Sequence, residues 1–564
     1  MSRWLRRGTY ATVDELVQAN TGMSAKDLEH DSRTYVYPGI KEAAESFMSH
    51  VKSGSTIRIW CDYDTDGVNC KAITHYTLAK PMHLRNIQIT CPGRYTDGYG
   101  IKPSIVEGFS GTDLLVLCDN GIAAIEAVDL AREMGMDVII LDHHDVRVIQ
   151  GQVVLPDANV IVDPHVTGGF IIDSAGNKIG EFKDLCGAGI TWYFAHEVRS
   201  MCSWMSDKQR WYLDQISYIF AAFGTVGDVV DLRDDNRRIV TNGLKALNKG
   251  MGTDGIRQLL YKLYLSTVTS TDIGFLLSPV INASGRLEDT GANRIAALLC
   301  TDTKDPEEKT KLTEEVNRAI ELNAKRKKMT KESVSRIVEN YEANGGNDPF
   351  IVCYDPETIS GIVGLVASDL VSRYHKPALV FAPSGKNDGV IKGSGRSVEG
   401  IGIKGLLDQV QQYLTTYGGH PMACGASLLI ENLDAFGDAI NKITPVLDDS
   451  DDLMYDFVCT ISESPDLLAK QQRLEPYGAG NPLPVYRINH VKLNSCTHMG
   501  QTGEHLKFTT DEKDVEIVWF NGSETYEKLG KPEMIDMLVT MSYHEFKDQM
   551  TIQLQMIDCF VSDR

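Results

Sequence analysis

No apolar run in this 564-residue chain approaches the roughly 20 residues needed to cross a bilayer. The longest, such as Leu114 to Cys118 and Val138 to Leu141, are strand-sized, so no membrane association is expected. The basic start, Met1 to Arg7, has no apolar segment behind it, and a secretory signal is not expected. The 12 cysteines are scattered singly without a CxxC pair, which excludes a small disulfide framework and reads as reduced core thiols of a cytoplasmic protein. Positive charge is also short. With 56 Lys and Arg against 77 Asp and Glu, the net charge is -21. A broadly basic, nucleic-acid-coating surface is thereby excluded, and any nucleic-acid contact must come from a local basic path or from within a cleft.

At this length several domains are expected. Residues 1–50 read as a partly polar, helical lead-in. From about 55, short apolar runs alternate with amphipathic stretches. Ile57 to Trp60, Leu114 to Leu117 and Val138 to Leu141 read as buried strands, and Ala123 to Met134 as a helix stopped by Gly135. That alternation predicts an α/β unit with a mostly parallel sheet over 51–300. After Pro306 a highly charged stretch lacks glycine and proline until Gly345. Leu312, Val316 and Ile320, then Val334, Ile337 and Tyr341, recur at helical spacing, predicting a long connecting helix within 301–346. A second α/β unit follows over 347–450, ending in the acidic linker Asp448 to Asp452. The remainder, 451–564, is strand-rich. Met550 to Met556 alternates strictly, and Val485 to Leu493, Val515 to Phe520 and Met537 to Tyr543 are further strands, together suggesting a small β-barrel.

The densest chemical signal is Asp62-Tyr-Asp64-Thr-Asp66-Gly67, set directly after the apolar run ending at Cys61. Three carboxylates at alternate positions repel one another unless cations neutralise them, and hard divalent ions are the natural partners. An Asp-rich turn would explain one of the three. A calcium loop requires a glutamate at its twelfth position, where this chain has Ile73. Asp119-Asn-Gly121 and Asp142-His143-His144-Asp145 each follow another apolar run. Asp228 follows a fourth, Ile219 to Val226, also read as a strand. The carboxyl ends of strands in an open α/β sheet line its ligand crevice, so four such ends converge on one edge.

These four segments, with Asp228 in Gly224-Thr-Val-Gly-Asp228, resemble the motifs of the DHH phosphoesterase superfamily in its RecJ branch. The resemblance extends to Pro92-Gly-Arg94-Tyr-Thr-Asp-Gly-Tyr-Gly100, Asn282-Ala-Ser-Gly-Arg286, Gly393-Ser394-Gly-Arg396-Ser397, Gly418-Gly-His420-Pro-Met-Ala-Cys-Gly425 and Glu475-Pro-Tyr-Gly-Ala-Gly-Asn-Pro482. It implies a DHH catalytic domain, a DHH-associated substrate-binding domain and a C-terminal OB-fold. It further implies two divalent ions, Mn²⁺ or Mg²⁺. Asp62 and Asp64 would sit on one ion and Asp66, His143 and Asp228 on the other, with Asp119 bridging. Asp142 would orient the ligand histidine, and His144 would contact the scissile phosphate or assist the leaving group. Such ions lower the pKa of a water and neutralise phosphoryl charge.

Arg94, Arg286 and Arg396 would clamp phosphates, with Ser394 and His420 beside them. The implied activity is 5′→3′ exonucleolytic hydrolysis of single-stranded DNA in recombination, repair or replication. A monomer is expected, with a helicase or single-strand-binding protein as possible partners. Trp519 and Phe520 are candidate base-stacking residues of the barrel, though core packing suits at least one of them. Two departures from the branch are Ser278-Pro-Val-Ile before Asn282, where a basic contact is lost, and Asn120 in the second motif. The competing readings are a DHH phosphodiesterase acting on short oligoribonucleotides or cyclic dinucleotides, and a scaffold that has lost the chemistry. All the implied metal ligands are present, and the C-terminal barrel suits a long polymer.

Overall fold

The computed structural model describes residues 3–29, 31–149, 151–385, 388–446, 452–500, 502–546 and 549–562. Five parallel strands form the first sheet, in the spatial order Ile87–Thr90, Ile57–Cys61, Leu114–Cys118, Asp137–Leu141, Val160–Val162. Their apolar runs are near-continuous because helices cover both faces, as parallel sheets require. Chain order along the sheet is 2-1-3-4-5. The direction of winding therefore reverses between Ile57–Cys61 and Leu114–Cys118, where Cys61 pairs with Cys118. The crevice beyond such a switch point is where open α/β sheets bind ligands.

The run ending before Asp228 is not a strand. Residues Asp207–Gly227 form a 21-residue helix, and Asp228 is its C-cap. A capping box of Ser206 and Gln209 starts it. From Leu213 to Thr225 it is buried almost all round. A helix apolar on every side shows no polar face, which is why its sequence mimics a buried strand. Three strand ends and one helix end thus make the edge.

The N-terminal stretch is not a lead-in of its own but is divided between two cores. Trp4–Arg6 pairs in parallel with Leu453–Tyr455, and the Trp4 indole donates to Asp558 at 2.9 Å. Val13, Leu16 and Val17, at helical spacing, pack into the C-terminal core, whereas Phe47 of helix Ile40–Ser53 joins the first. The connecting helix is Pro306–Ala343, 38 residues or about 57 Å long. It leads to a five-stranded mixed sheet in the order Ile351–Tyr354, Ala378–Pro383, Val390–Arg396, Ala423–Leu429, Thr416–His420. The C-terminal unit is built on a seven-stranded sheet spanning Phe457–Val561. Trp519 is 6% exposed within its core, and Phe520 is 47% exposed. The acidic linker lies, apart from Asp452, outside the described residues. No helix among those described is long and apolar enough to cross a membrane.

Candidate metal centre

The edge begins with Asp62, one residue beyond the first strand and 2% exposed, whose Oδ1 has no hydrogen-bond partner. Asp64 caps the helix Thr65–Thr74, its Oδ1 accepting from the Asp66 and Gly67 amides at 3.0 and 3.2 Å. Gly67 is required here, because a Cβ would lie 2.4 Å from the Asp62 carbonyl oxygen. Asp66 turns toward the N-terminus of helix Gly187–Ser200, accepting from the Gly187 and Ala188 amides at 2.6 and 2.9 Å. Gly187 allows Asp119 to approach the same turn, since a Cβ would meet the Asp119 Cβ at 2.6 Å. Asp119 itself has φ +61, in the left-handed region that aspartate tolerates better than most residues. Asn120, one of the departures from the family pattern, ties the two switch-point strands together by donating to the carbonyls of Trp60 and Cys118 at 3.3 and 2.9 Å.

His143 Nε2 lies 3.2 Å from Asp119 Oδ1, 3.7 Å from Asp66 Oδ2 and 3.8 Å from Asp228 Oδ2. Asp142 is buried behind it. Its Oδ1 accepts from His144 Nδ1 at 2.7 Å and from the His143 amide at 2.8 Å, and its Oδ2 accepts from the Ile122 amide. Three donor groups result, each with its atoms within 4.8 Å of one another: Asp62, Asp64 and Asp119; Asp66, His143 and Asp228; and Asp119, His143 and His144. Burial and the charge of Asp64 push Asp62 up to about 8 and Asp66 up to about 6. Burial and Asp66 raise Asp119 and Asp228 well above the carboxylate range. His143 is pushed down to about 3 by burial and the charge of His144. Against burial, the hydrogen bond to Asp142 holds His144 up to about 10, and the reciprocal bond holds Asp142 down to about 2.

The arginines gather beside this edge. Arg94 lies over the Tyr63 ring, 4.0 Å from its centroid, with a buried Nε lacking a partner. Arg286, on helix Ser278–Leu287, donates to the Gly361 carbonyl at 3.0 Å. Arg396 donates to Ser394 Oγ at 3.1 Å, both being on one face of their strand two residues apart. Burial and the charge of Arg94, with Arg326 and Arg396 adding to it, lower Arg286 to about 10, and Asp64 opposes them. His420 reaches across from the second unit to Asp145, at 2.9 Å.

Sequence reasoning passed over three contributors. Tyr99, in the segment with Arg94, places its hydroxyl 2.8 Å from His144 Nε2. Asp163 follows the fifth strand and is fully buried with Oδ2 unpartnered, and burial together with Asp142 pushes it up to about 7. Its short run, Val160 to Val162, ends in Asp163-Pro-His165, the same strand-then-aspartate signal as the others. Arg326 lies in the basic run Lys325 to Lys331, which was read only as part of a solvated connecting helix.

Residues 56–218 match the DHH family, N-terminal domain; residues 347–444 match the DHHA1 domain; residues 455–558 match the RecJ OB domain. The parallel sheet with its acidic edge thus defines a DHH-family protein carrying the associated domain and an OB-fold. Among curated proteins, the single-stranded-DNA-specific exonuclease RecJ of Escherichia coli is 30% identical over 86% of this chain and 84% of its own length. That of Dickeya dadantii is 31% identical over 71% and 68%. The Bacillus subtilis protein of the same name is 30% identical over 93% of this chain, which spans 64% of that relative's length. The chain belongs to the RecJ family. In fold it resembles RecJ of Thermus thermophilus in complex with Mn²⁺, with a TM-score of 0.78 at 23% identity, covering 100% of this chain and 80% of that one. A second structure, exonuclease RecJ bound to manganese, has a TM-score of 0.58 at 26% identity, covering 74% and 96%.

Proposed function

We propose that this protein is a metal-dependent 5′→3′ exonuclease of single-stranded DNA. The observation that carries the reading is the meeting of two clusters: Asp62, Asp64, Asp66, Asp119, Asp228 and His143 on one side, and Arg94, Arg286 and Arg396 on the other. The carboxylates fit cations on their own chemistry, since they are buried, they repel one another, and Asp62 Oδ1 faces no donor. In our reading Asp62 and Asp64 hold one ion, Asp66, His143 and Asp228 a second, and Asp119 both. The relatives' Mn²⁺ favours manganese, and the mixed Asp/His donor set agrees. Bound there, two divalent ions would supply charge neutralisation on the phosphoryl oxygens and a nucleophile at neutral pH.

The protein's own groups do the rest. Asp142 fixes the ring direction of His144 by accepting from its Nδ1–H, and it meets the expected ligand His143 at the backbone amide instead of the ring. His144 presents Nε2–H toward the cleft, where Tyr99 holds it, ready to donate to a phosphate oxygen or the leaving oxygen. Arg94, Arg286 and Arg396, with Ser394 and His420, hold phosphate at the strand's 5′ end, and the OB-fold tracks the strand beyond. We assign 51–300 as the catalytic domain, 301–346 as the connecting helix, 347–450 as the substrate-binding domain and 451–564 as the OB-fold domain. We further propose a cytoplasmic monomer working beside a helicase or a single-strand-binding protein.

Digestion of single-stranded DNA labelled at either end, with Mn²⁺ present, tests this. Label released first from the 5′ end is expected. Release first from the 3′ end overturns the polarity, and faster hydrolysis of short oligoribonucleotides or cyclic dinucleotides overturns the substrate. Asp119→Ala and His143→Ala are expected to abolish cleavage while sparing the fold.

A further inference from the structure

The connecting helix changes character midway along its buried stripe. Its inward stripe is apolar at both ends. Leu312, Val316 and Ala319 belong to the first core, and Val334, Ile337, Val338 and Tyr341 to a core of the second unit. Between them the same stripe, at the same three- and four-residue spacing, becomes polar: Asn323, Arg326, Thr330, Ser333. An arginine in a buried stripe usually answers a carboxylate. Ser333 and Arg336 do meet one, Asp355, at 2.8 and 2.7 Å. Arg326 does not. It is half-buried, its Nε donates to Asn323 Oδ1 at 3.1 Å, and burial alone lowers its pKa. Among the described residues its charged neighbour of note is Arg286, on which Arg94 and Arg396 also bear. Helix Ser278–Leu287, which carries Arg286, packs directly against the connecting helix, and no carboxylate among the described residues forms an ion pair with Arg326.

The local sequence repeats the point. From Leu322 to Lys331 there is no acidic residue, and Lys325, Arg326, Lys327, Lys328 and Lys331 are cations, in a protein of net charge -21. Lys325, Lys327, Lys328 and Lys331 are exposed around Arg326, at the turns where the helix leaves one core and has not yet reached the other.

We propose that Arg326, oriented by Asn323, is a ligand for substrate phosphate, and that the basic turns around it form one wall of the nucleic-acid cleft. The ligand is a phosphate group of the strand. This inference rests on the reading of Arg94, Arg286 and Arg396 as phosphate ligands, and the test separates the two.

The probe is a fluorescein-labelled single-stranded oligonucleotide, bound to the full chain in chelator so that no cleavage intervenes and titrated over a range of salt. Arg326→Gln is compared with Arg326→Lys and Arg286→Gln. Losing one charge-assisted phosphate contact is expected to weaken binding about tenfold or more. It is also expected to reduce the slope of log affinity against log salt by about 0.7. With Mn²⁺ present, KM is expected to rise and kcat to stay within about twofold, as for a contact equal in ground and transition states. Arg326→Lys is expected to recover the salt slope and part of the affinity. If Arg286→Gln weakens binding and Arg326→Gln does not, this inference fails and the arginine cluster stands. If neither does, both fail. Weakened binding that comes with a lowered Tm, and that Arg326→Lys restores only together with Tm, assigns Arg326 a structural role and overturns the inference.

Discussion

Replacing Asp62 by asparagine tests whether the acidic edge is a site built for cations. Burial and Asp64 raise the Asp62 carboxyl from 3.8 to about 8. Between about pH 4 and pH 8 the folded protein therefore holds a proton that the unfolded chain has released. Its stability is highest below pH 4 and falls as pH rises through that window. At about 1.36 kcal/mol per pH unit the loss across it is on the order of 5 kcal/mol. Asp62→Asn removes this group, and the neighbouring carboxylates share part of the same repulsion. We therefore expect the variant to gain about 2–5 kcal/mol over wild type at pH 8 in chelator, and little at pH 4. Adding Mn²⁺ should reverse the order. Saturation at a hundredfold over Kd contributes about 2.7 kcal/mol to wild type, and a variant lacking one ligand gains less. Urea denaturation of the catalytic unit, followed by tryptophan fluorescence at pH 4 and 8 with chelator or Mn²⁺, measures all four corners. Equal pH slopes for the two proteins in chelator, or equal stabilisation of both by Mn²⁺, would refute the reasoning.

Three other perturbations reach different parts of the argument. Arg237 is 4% exposed and donates to the carbonyls of Leu474, Glu475 and Pro476 at 2.6, 2.9 and 2.8 Å, so Arg237→Met should cost about 3–5 kcal/mol and loosen the C-terminal unit, read by denaturation and limited proteolysis. Burial raises Glu475 to about 7 from 4.5, so stability is lost as pH rises between those values; Glu475→Gln should flatten that dependence and leave the variant up to about 3 kcal/mol more stable above pH 7, with or without metal. His144→Ala should lower kcat by about 10² to 10⁴ while the Mn²⁺-induced rise in Tm persists, and loss of that rise would place His144 among the metal ligands instead.

The parts legible in the sequence were those whose signal is local. Three strand ends announced themselves because an apolar run stops at a carboxylate, and the connecting helix because an unbroken 3.6-residue period needs no partner to be seen. Asp228 was found by its motif but given the wrong element, since a fully buried helix and a buried strand are both continuous apolar runs. Asp163 carried the same local signal after a run of only three residues, too short to stand out. Arg326 and Arg237 were passed over for another reason. Arg326 stands out from its basic run only beside Arg286, on a separate part of the chain, and Arg237 acquires its meaning from carbonyls more than two hundred residues away. The division of the N-terminal stretch follows from pairings such as Trp4 with Leu453, which no short-range pattern encodes.

The two clusters of the cleft also account for how so acidic a protein would receive the polyanion proposed as its substrate. Each cluster is unfavourable alone: the carboxylates are pushed up toward protonation, and Arg286 is pushed down to about 10 by burial and its cationic neighbours. Asp64 already acts on Arg286 with opposite sign, so the clusters are close enough to feel each other, yet their own hydrogen bonds hold them apart. A ligand that brings cations to the carboxylates and an anion to the guanidinium groups would relieve both at once, and a phosphate accompanied by divalent ions would do so. Metal alone leaves the arginines crowded, and a phosphate without metal binds the arginines more weakly, against the carboxylates' repulsion. Recognition of this kind is settled within a few ångströms of the switch point, inside the roughly 8–10 Å over which salt screens charge. The distant surface carboxylates that make up the net charge therefore contribute solubility and some repulsion to approach, and the cleft decides binding.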